Sequence, residues 1–533
     1  MFLSKPKFGM FLRLPLLLVS TLVFVAFSTC NPGPSALKDI LKSPVEVTLN
    51  PHGRVPLGAV LQVRTEQPCQ LTVTVPGETP VKLEFLDYLN FREVPVLGLY
   101  PGRENVLKIT LTTEDKQEYS GTAVVATNAL PTGFPTIDVT TLQPDKMEAG
   151  FHLVDLLLAN NGKFLPYTVM FDNQGVIRWF MDMGEQEQIT YTTYRLKNGN
   201  WLYLNWIKLL EVNDLGKTIR EEQMRGNAGK HEIIEMPNGM LLMGGSKKGS
   251  YVMSEGRKVP TRFDHAIIWD RMTNRTAKEW DMRKYFKVDR HIFPADYGMD
   301  PATDWFHLNS IAISSRDNSV LVSGSKQGVA KVGPDNSLRW ILAPHVAWGQ
   351  AGFDGKGLNT TDYLLAATNA TGELYPDEVQ QGKVSAEDFD WPTGQHALNL
   401  LPNGNLLLFD NGLRRNFESK PTYSRAVEYK IDEANRTITQ VWQYGKERGL
   451  DMFSPTTSDV DALPNGNRLI TSGNIQVSGK PGHGKMVEVT YPNNEVVFEA
   501  DIYFKNALDT DEKRGGQSDL LFRGERYSLT TNN

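Results

Sequence analysis

D-W-P-T-G-Q-H-A-L-N-L-L-P-N-G-N-L-L-L-F-D-N-G, residues Asp390–Gly412, contains a histidine, a short apolar strand, an Asn-Gly turn and a second apolar strand. Asn-Gly is the dipeptide that a two-residue type I′ hairpin turn prefers, because both residues of that turn have positive φ. His396 lies seven residues before Asn403, where the first strand of the hairpin begins. The stretch therefore predicts a β-hairpin with a histidine at its mouth.

The same hairpin recurs along the chain. His231 lies seven residues before Asn238 in H-E-I-I-E-M-P-N-G-M-L-L-M, and a looser copy with a longer turn begins at His307. Inner and outer turns alternate six times. The inner turns lie near Asn161-Gly162, Asn198-Gly199, Asn238-Gly239, Asp317-Asn318, Asn403-Gly404 and Asn465-Gly466, and the outer turns near Asn173, Asp214, Asn274, Asp335, Asn435 and Asn493.

Two hairpins make a four-stranded antiparallel sheet, and six such sheets in series make a six-bladed β-propeller, which we predict for residues 145–525. Most outer turns lead into a strand with a bulky aromatic residue: Trp179, Trp280, Trp340, Trp442 and Phe498. The alternative is a series of unrelated hairpins in a sandwich. The long insertions at Ser246–Arg262, Lys284–Thr303 and His345–Phe389 are expected on a face of the propeller, where binding loops lie.

Composition supports an all-β soluble class. The 533 residues are 40% hydrophobic and 22% charged, as in ordinary globular proteins. Glycine is abundant, with 45 residues, and helix-period stretches are few, which favours short strands and turns. A net charge of −6 argues against a nucleic-acid surface.

The first thirty residues have the pattern of an export signal. Lys5, Lys7 and Arg13 precede an apolar run from Leu14 to Phe27, which predicts a signal peptide over residues 1–29. The run is short for a membrane span, and a signal anchor is the alternative. Cys30 raises the further alternative of a lipoprotein signal, in which its thiol carries a lipid anchor. Cleavage by either route predicts an exported protein.

Residues 45–130 have a different pattern, with short alternating runs such as V-E-V-T-L and N-V-L-K-I-T-L-T-T separated by turn residues. This pattern is typical of a small β-sandwich. No His, Asp or Glu cluster stands out in it, and we interpret it as a structural or dimerisation domain. Pro131–Pro135 and the polar stretch after it predict a linker.

Residues at the start of each innermost propeller strand ring one mouth of the central channel. His231, His307 and His396 take that position in the third, fourth and fifth blades, and Tyr191 and Ser458 take it in the second and sixth. Three imidazoles should therefore converge on one pocket. Three histidines can bind zinc, but no Asp, Glu or Cys accompanies them at ligand spacing, and we predict no metal.

Several segments are specific enough to suggest a family: D-W-F-H-L-N-S-I, T-G-Q-H-A-L-N-L-L-P-N-G-N, F-D-N-G and Y-S-R-A-V-E-Y-K-I-D. With them the chain resembles the bacterial arylsulfate sulfotransferases, the periplasmic kind that does not use 3′-phosphoadenylylsulfate. The resemblance implies a six-bladed propeller with a small β domain, a homodimer, a periplasmic location and no cofactor. It also implies that a sulfuryl group moves from an aryl sulfate to a phenol by a ping-pong mechanism through a sulfated histidine.

Residue by residue, the resemblance makes His396 the nucleophile and gives His307 and His231 the role of holding the sulfate. The family arginine eighteen residues after His307 is replaced by Ser325, with Lys326 next to it. Neighbouring strand residues point to opposite faces, so Lys326 can substitute only if the strand bulges or slips. Arg425 is another candidate cation. The family's paired cysteines near the nucleophile are absent.

A neutral imidazole is a competent nucleophile near pH 7. N–H donors from His231 and His307 would stabilise the sulfuryl oxygens, and one of the two would protonate the leaving oxygen. Four aromatic residues are expected either to stack on the phenol or to pack in the core, namely Tyr191, Trp305, Phe306 and Trp391. Two rival functions remain open: an aryl-sulfate hydrolase, and a non-catalytic propeller that binds an anionic ligand.

Overall fold

A computed structural model describes residues 35–160, 163–186, 192–292, 300–476, 482–505 and 519–529. Within these ranges the regular structure is nearly all β, with a single one-turn α-helix, Asp377–Gln380, so the predicted all-β class is confirmed. The 3₁₀ segments include Leu37–Asp39, Pro144–Lys146, Met282–Lys284, Thr360–Tyr363, Arg415–Phe417 and Lys446–Asp451. In the described part of the chain, no helix has the length and apolar character needed to cross a membrane. The predicted signal peptide and Cys30 lie outside the described residues.

The N-terminal domain is one hydrogen-bonded sheet of six strands. They are β1 (Ser35–Ala36), β2 (Glu46–Leu49), β3 (Ala59–Val75), β4 (Val81–Val96), β5 (Glu104–Thr113) and β6 (Glu118–Ala126). The long β3 pairs with β2 and β4 through its first half, and with β4 and β5 through its second half. Its alternate residues are buried, as the period-2 pattern of its sequence predicts.

The rest of the strands follow in chain order. They are β7 (Thr136–Leu142), β8 (Phe151–Asn160), β9 (Lys163–Phe171), β10 (Ile177–Asp182), β11 (Thr192–Arg195), β12 (Trp201–Asn205), β13 (Lys208–Val212), β14 (Thr218–Gln223), β15 (Asn227–Glu235), β16 (Leu241–Lys247), β17 (Tyr251–Ser254), β18 (Arg257–Pro260), β19 (His265–Asp270), β20 (Arg275–Asp281), β21 (Leu308–Ile313), β22 (Val320–Gly324), β23 (Gly328–Val332), β24 (Leu338–Leu342), β25 (Ala366–Thr368), β26 (His396–Leu400), β27 (Leu406–Asp410), β28 (Arg425–Asp432), β29 (Thr437–Tyr444), β30 (Asp459–Ala462), β31 (Arg468–Ile475), β32 (His483–Val489), β33 (Val496–Tyr503) and β34 (Leu520–Tyr527).

These strands form successive antiparallel sheets, each built on four strands. The sheets are β34-β8-β9-β10, β11-β12-β13-β14, β15-β16-β19-β20, β21-β22-β23-β24, β26-β27-β28-β29 and β30-β31-β32-β33. Their first strands contact one another in series, from β11 through β15, β21, β26 and β30 to β34. Sheets joined at their first strands in this way have the arrangement of a β-propeller, the predicted architecture.

The strands at the two ends of the propeller region complete its first and last sheets. The C-terminal β34 pairs with β8 and supplies the innermost strand of the first sheet. β7, which follows the N-terminal domain, pairs with β33 at the outer edge of the last sheet. The prediction of a linker for the polar stretch after Pro135 was therefore wrong. Thr136–Leu142 alternates exposed and half-buried residues, which is the pattern of an edge strand.

The predicted hairpin turns lie between strands, but their backbone type differs from the prediction. In a type I′ turn both central residues have positive φ, whereas at Asn403-Gly404 only the glycine does, with φ of 91°. The Gly404 N–H donates to Leu401 O, which places Pro402 at the second turn position. Because proline fixes φ near −65°, the turn is of type I followed by a left-handed glycine. Asn161-Gly162 lies outside the described residues.

Leu521 shows how strongly β34 is held. Its side chain is fully buried and packs against Gly484 of the last sheet. We expect Leu521→Ala to lower the free energy of unfolding of the propeller by about 3 kcal/mol, because it removes buried methyl groups and leaves a cavity. Chemical denaturation measures this loss. The control, Leu374→Ala, truncates a leucine that is 65% exposed and should change stability by less than about 0.5 kcal/mol. Equal losses in the two variants would show that the packing of Leu521 against the last sheet does not stabilise the propeller.

Candidate functional site

The three histidines lie at irregular points of three neighbouring innermost strands. His396 is the first residue of β26, His307 directly precedes β21, and His231 lies within β15. The pairing register of each strand with its neighbour shifts beside the histidine: between Lys230 and Ile233 in β15, next to Leu308 in β21 and after His396 in β26. Such β-bulges redirect side chains and are frequent beside active sites.

The backbone has left-handed geometry at the same places. φ is 65° at His231, 54° at His307, 55° at Ala397 and 88° at Ser458. Each of these residues carries a Cβ, so each left-handed conformation costs about 1–2 kcal/mol. Strain of this kind persists only where the surrounding packing imposes it, and it clusters at functional sites.

His231 and His396 line one pocket at the channel, and His307 lies beside it. The pocket is also lined by Glu232, Asn309, Ala397, Thr457, Ser458, Asp459, Phe522 and Arg523. The ring centroids of His231 and His307 are 5.4 Å apart. The structure therefore brings together the histidines of three sheets, together with Ser458 of the sixth. Tyr191, which the sequence places at the same ring, lies outside the described residues and stays a prediction.

Asn411 fixes the tautomer of His396. Its Oδ1 lies 2.7 Å from His396 Nδ1, while its Nδ2 donates to the carbonyl oxygens of Ser454 and Thr457 at 2.7 and 3.1 Å. The amide nitrogen is thus committed as a donor, and Oδ1 must accept. Gly394 O, 3.0 Å from the same ring nitrogen, is a second acceptor. Nδ1 of His396 therefore carries the proton, and Nε2 carries the lone pair.

Burial keeps His396 neutral. It lowers the pKa of His396 to about 4, the nearby charge of Lys230 acts in the same direction, and the bond to Asn411 opposes both. Burial and the charge of Lys230 also hold the pKa of His231 well below its ordinary value. At neutral pH both rings are therefore uncharged, and the Nε2 lone pair of His396 is available for attack.

Each ring nitrogen of His307 lies close to a charged side chain. Its Nδ1 lies 2.7 Å from Asp304 Oδ2, and its Nε2 lies 3.4 Å from Lys230 Nζ. Burial alone would raise the pKa of Asp304, but the adjacent His307, Lys230 and Lys326 hold it well below its usual range. Asp304 is therefore a carboxylate, which accepts the Nδ1 proton of His307 and leaves Nε2 to accept from Lys230.

The structure also locates the candidate cations. Lys326 Nζ lies 3.9 Å from Asp304 Oδ2. In a regular strand, Lys326 would point to the face opposite that of Ser325. That alternation does not apply here, because β22 ends at Gly324 and Lys326 lies in the following turn. Ser325 donates its backbone N–H to His307 O at 3.1 Å. Arg425, the other candidate, is fully buried and binds Asp410 at 3.0 Å within the core.

Of the two expected roles of the aromatic residues, Trp305, Phe306 and Trp391 have that of core packing. Trp305 is 1% exposed and donates its indole N–H to Asp264, so it presents no surface to a phenol. Phe306 and Trp391 are buried in the core as well. Phe263 instead meets the His307 ring edge-on at 5.9 Å, and the half-buried Trp206 lies 5.7 Å from Phe263.

Sequence reasoning missed four residues: Lys230, Asp304, Asn411 and Arg523. Asp304 and Asn411 lie inside the segments D-W-F-H-L-N-S-I and F-D-N-G, so those segments held a signal for both. Lys230 directly precedes His231, and in a regular strand its side chain would point to the opposite face of the sheet. Arg523 lies on β34, and no repeat pattern marks it. In the described residues, no three His, Cys, Asp or Glu side chains are grouped to hold a metal ion.

The pKa of His396 provides a direct test of the site geometry. We expect its imidazole to titrate at about pH 4 in histidine-labelled protein followed by NMR. Asn411→Asp should raise that pKa, because a carboxylate beside the ring favours the charged imidazolium. Asn403→Asp adds the same charge at an exposed turn and should leave the His396 titration unchanged. An ordinary histidine titration near pH 6.5 in the unaltered protein would contradict the buried, Asn411-bound ring.

Comparisons with known proteins point to one family. A family model described as arylsulfotransferase matches residues 136–510, and one described as the arylsulfotransferase Ig-like domain matches residues 46–128. The arylsulfate sulfotransferase AssT of Escherichia coli O6:H1 is 28% identical, and that of Lelliottia amnigena is 26% identical; each alignment covers 86% of this chain and 90% of the relative.

Among solved structures, the Dos1 propeller is 7% identical and covers 93% of this chain and 96% of its own, with a TM-score of 0.28, too low to support any further conclusion. The first family model alone spans more than half of the sequence. The chain therefore belongs to the arylsulfotransferase family.

Proposed function

We propose that this protein transfers a sulfuryl group from a phenolic sulfate ester to a second phenol by a ping-pong mechanism, with His396 as the carrier. The observation that carries the proposal is the bond between His396 Nδ1 and Asn411 Oδ1. It leaves Nε2 as an unprotonated nucleophile in a buried pocket lined by two histidines from different sheets.

In the first half-reaction, His396 Nε2 attacks sulfur and the S–O bond to the phenol breaks, so that the electron pair passes to the phenolate oxygen. In the second half-reaction, the acceptor phenol attacks the sulfur and the electron pair of the N–S bond returns to Nε2. Both steps place negative charge on the sulfuryl oxygens, which nearby donors and cations stabilise in a site shielded from water.

Lysines supply the positive charge in the place of the missing family arginine. Lys230 and Lys326 both lie near the Asp304 carboxylate, which makes the pocket a place for an anion even though Ser325 has no charge. This observation removes the missing arginine as an argument against catalysis. The half-buried Trp206, which packs against Phe263, offers an aromatic surface near the site for a phenol ring.

The proposal extends to location and assembly. The basic and apolar leader predicts export to the periplasm, with Cys30 as the site of a lipid anchor if the leader is of the lipoprotein type. The mass of the mature protein shows where the leader is cleaved and whether lipid is attached. The family resemblance suggests a homodimer, and sedimentation equilibrium measures the oligomeric state.

Transfer is tested by phenol release from an aryl sulfate with and without a second phenol. We expect the second phenol to accelerate release and to acquire the sulfate. His396→Ala should abolish transfer, by on the order of a thousand-fold or more, and change stability by less than about 2 kcal/mol. His52→Ala, at an exposed position of the N-terminal domain, is the control and should keep full activity.

Release that ignores the added phenol would identify a hydrolase instead. Binding of the aryl sulfate without any release would identify a binding module. Near-normal turnover by His396→Ala would remove this residue from the mechanism.

A further inference from the structure

We propose that Lys230 is the proton donor and acceptor of the reaction: its ammonium group protonates the leaving phenolate, and the resulting amine takes the proton of the incoming phenol. The inference rests on the proposed function. It assigns to Lys230 the acid–base role that the sequence suggested for His231 or His307.

The bulge in β15 is what puts Lys230 at the site. On the neighbouring β16, Gly244 pairs with Lys230 and Met243 pairs with Ile233, so that the register shifts at His231 and Glu232. In a regular strand Lys230 and His231 would point to opposite faces. With the bulge and the positive φ of His231, both side chains instead reach the ring of His307.

The hydrogen bonds of His307 exclude it as the donor in this arrangement. Its Nδ1 proton is held by the Asp304 carboxylate at 2.7 Å, and its Nε2 lies 3.4 Å from Lys230 Nζ. Since a lysine ammonium can only donate, Nε2 must accept. With Nε2 as the acceptor, His307 has no proton to give on that side, and the proton shared by the two side chains belongs to Lys230.

The surroundings of Lys230 suit a group that changes charge during turnover. Lys230 is 5% exposed, and its Nζ lies 3.5 Å from the centroid of the Phe263 ring. The aromatic face and the Asp304 carboxylate favour the ammonium form before the reaction. The charge of Lys230 also reaches the nucleophile, since it helps to lower the pKa of His396. The side chains of Lys230, His307 and His396 thus lie close enough to interact electrostatically.

The proton and electron balance closes over the two half-reactions. As the N–S bond forms at His396, the S–O bond breaks and the phenolate takes a proton from the Lys230 ammonium, which leaves a neutral amine. The net charge of substrate, His396 and Lys230 is unchanged, because the sulfated imidazolium and the amine replace the sulfate anion and the ammonium. The amine then removes the proton of the acceptor phenol as its oxygen attacks sulfur.

Lys230→Met tests this role through the leaving group. Phenyl sulfate releases a phenolate whose conjugate acid has a pKa near 10, so it needs a proton donor, whereas 4-nitrophenyl sulfate releases a much weaker base. We expect the variant to lose on the order of 10³-fold in kcat/KM with phenyl sulfate and about tenfold or less with 4-nitrophenyl sulfate. The control, Lys247→Met, removes an exposed lysine paired with Glu279 and should leave both rates unchanged.

Lys230→Arg is the second variant, because arginine keeps the charge and stays protonated. We expect kcat/KM for the donor, which reports the first half-reaction alone, to approach that of the unaltered protein with 4-nitrophenyl sulfate and to remain low with phenyl sulfate. Equal losses with both substrates in Lys230→Met would make Lys230 a purely electrostatic or structural residue and overturn the inference. If Lys230→Met does not fold, as judged by circular dichroism, full activity of Lys230→Arg with phenyl sulfate overturns it. Failure of the unaltered protein to release phenol from either ester would refute the proposed function instead.

Discussion

The contacts of Arg523 hold the innermost strands in fixed positions around the pocket. From β34, its guanidinium donates to His231 O and to Glu232 Oε1, both at 3.1 Å. Glu232 accepts in turn from Ser310 of β21 at 3.2 Å, and Ser310 accepts the N–H of Leu398 of β26 at 2.9 Å. One polar chain thus links four sheets beside the three histidines. Buried charge-assisted bonds of this kind lose much stability when one partner is removed, and the histidine positions depend on them.

The same constraint accounts for the irregular backbone. A regular hydrogen-bonded ladder would bury alternate side chains between the sheets and leave the others in the channel, so that adjacent residues could not act on one site. Bulges and left-handed residues at His231, His307 and Ala397 break that rule at the mouth of the channel. Their strain is offset by the packing and the polar chain around them. The outcome is a pocket in which the His396 imidazole, two further imidazoles and two lysine side chains lie close together.

Much of this could be predicted from the sequence, and the limits have physical causes. Repeated Asn-Gly turns and outer aromatic residues predict the sheets because turns and strand periodicity are local properties. The histidines at the strand starts follow from the same repeat. The contribution of β34 to the first sheet could not be foreseen, since pairing between distant strands leaves no local pattern. Nor could the position of Lys230 at the site, because it depends on a bulge that the alternation of residues does not reveal. For Trp305 the sequence left a substrate contact and core packing both open, because a pattern does not show which way a side chain points, and in the structure it packs in the core.

The central claim is that His396 carries the sulfuryl group between donor and acceptor. Intact-protein mass after brief mixing with a chromogenic aryl sulfate, followed by peptide mapping, tests it most directly. We expect a gain of one sulfuryl group within residues 391–408, and loss of that gain when a phenol is added. Release of phenol without any covalent gain, or a sulfuryl group found on another residue, would contradict this account.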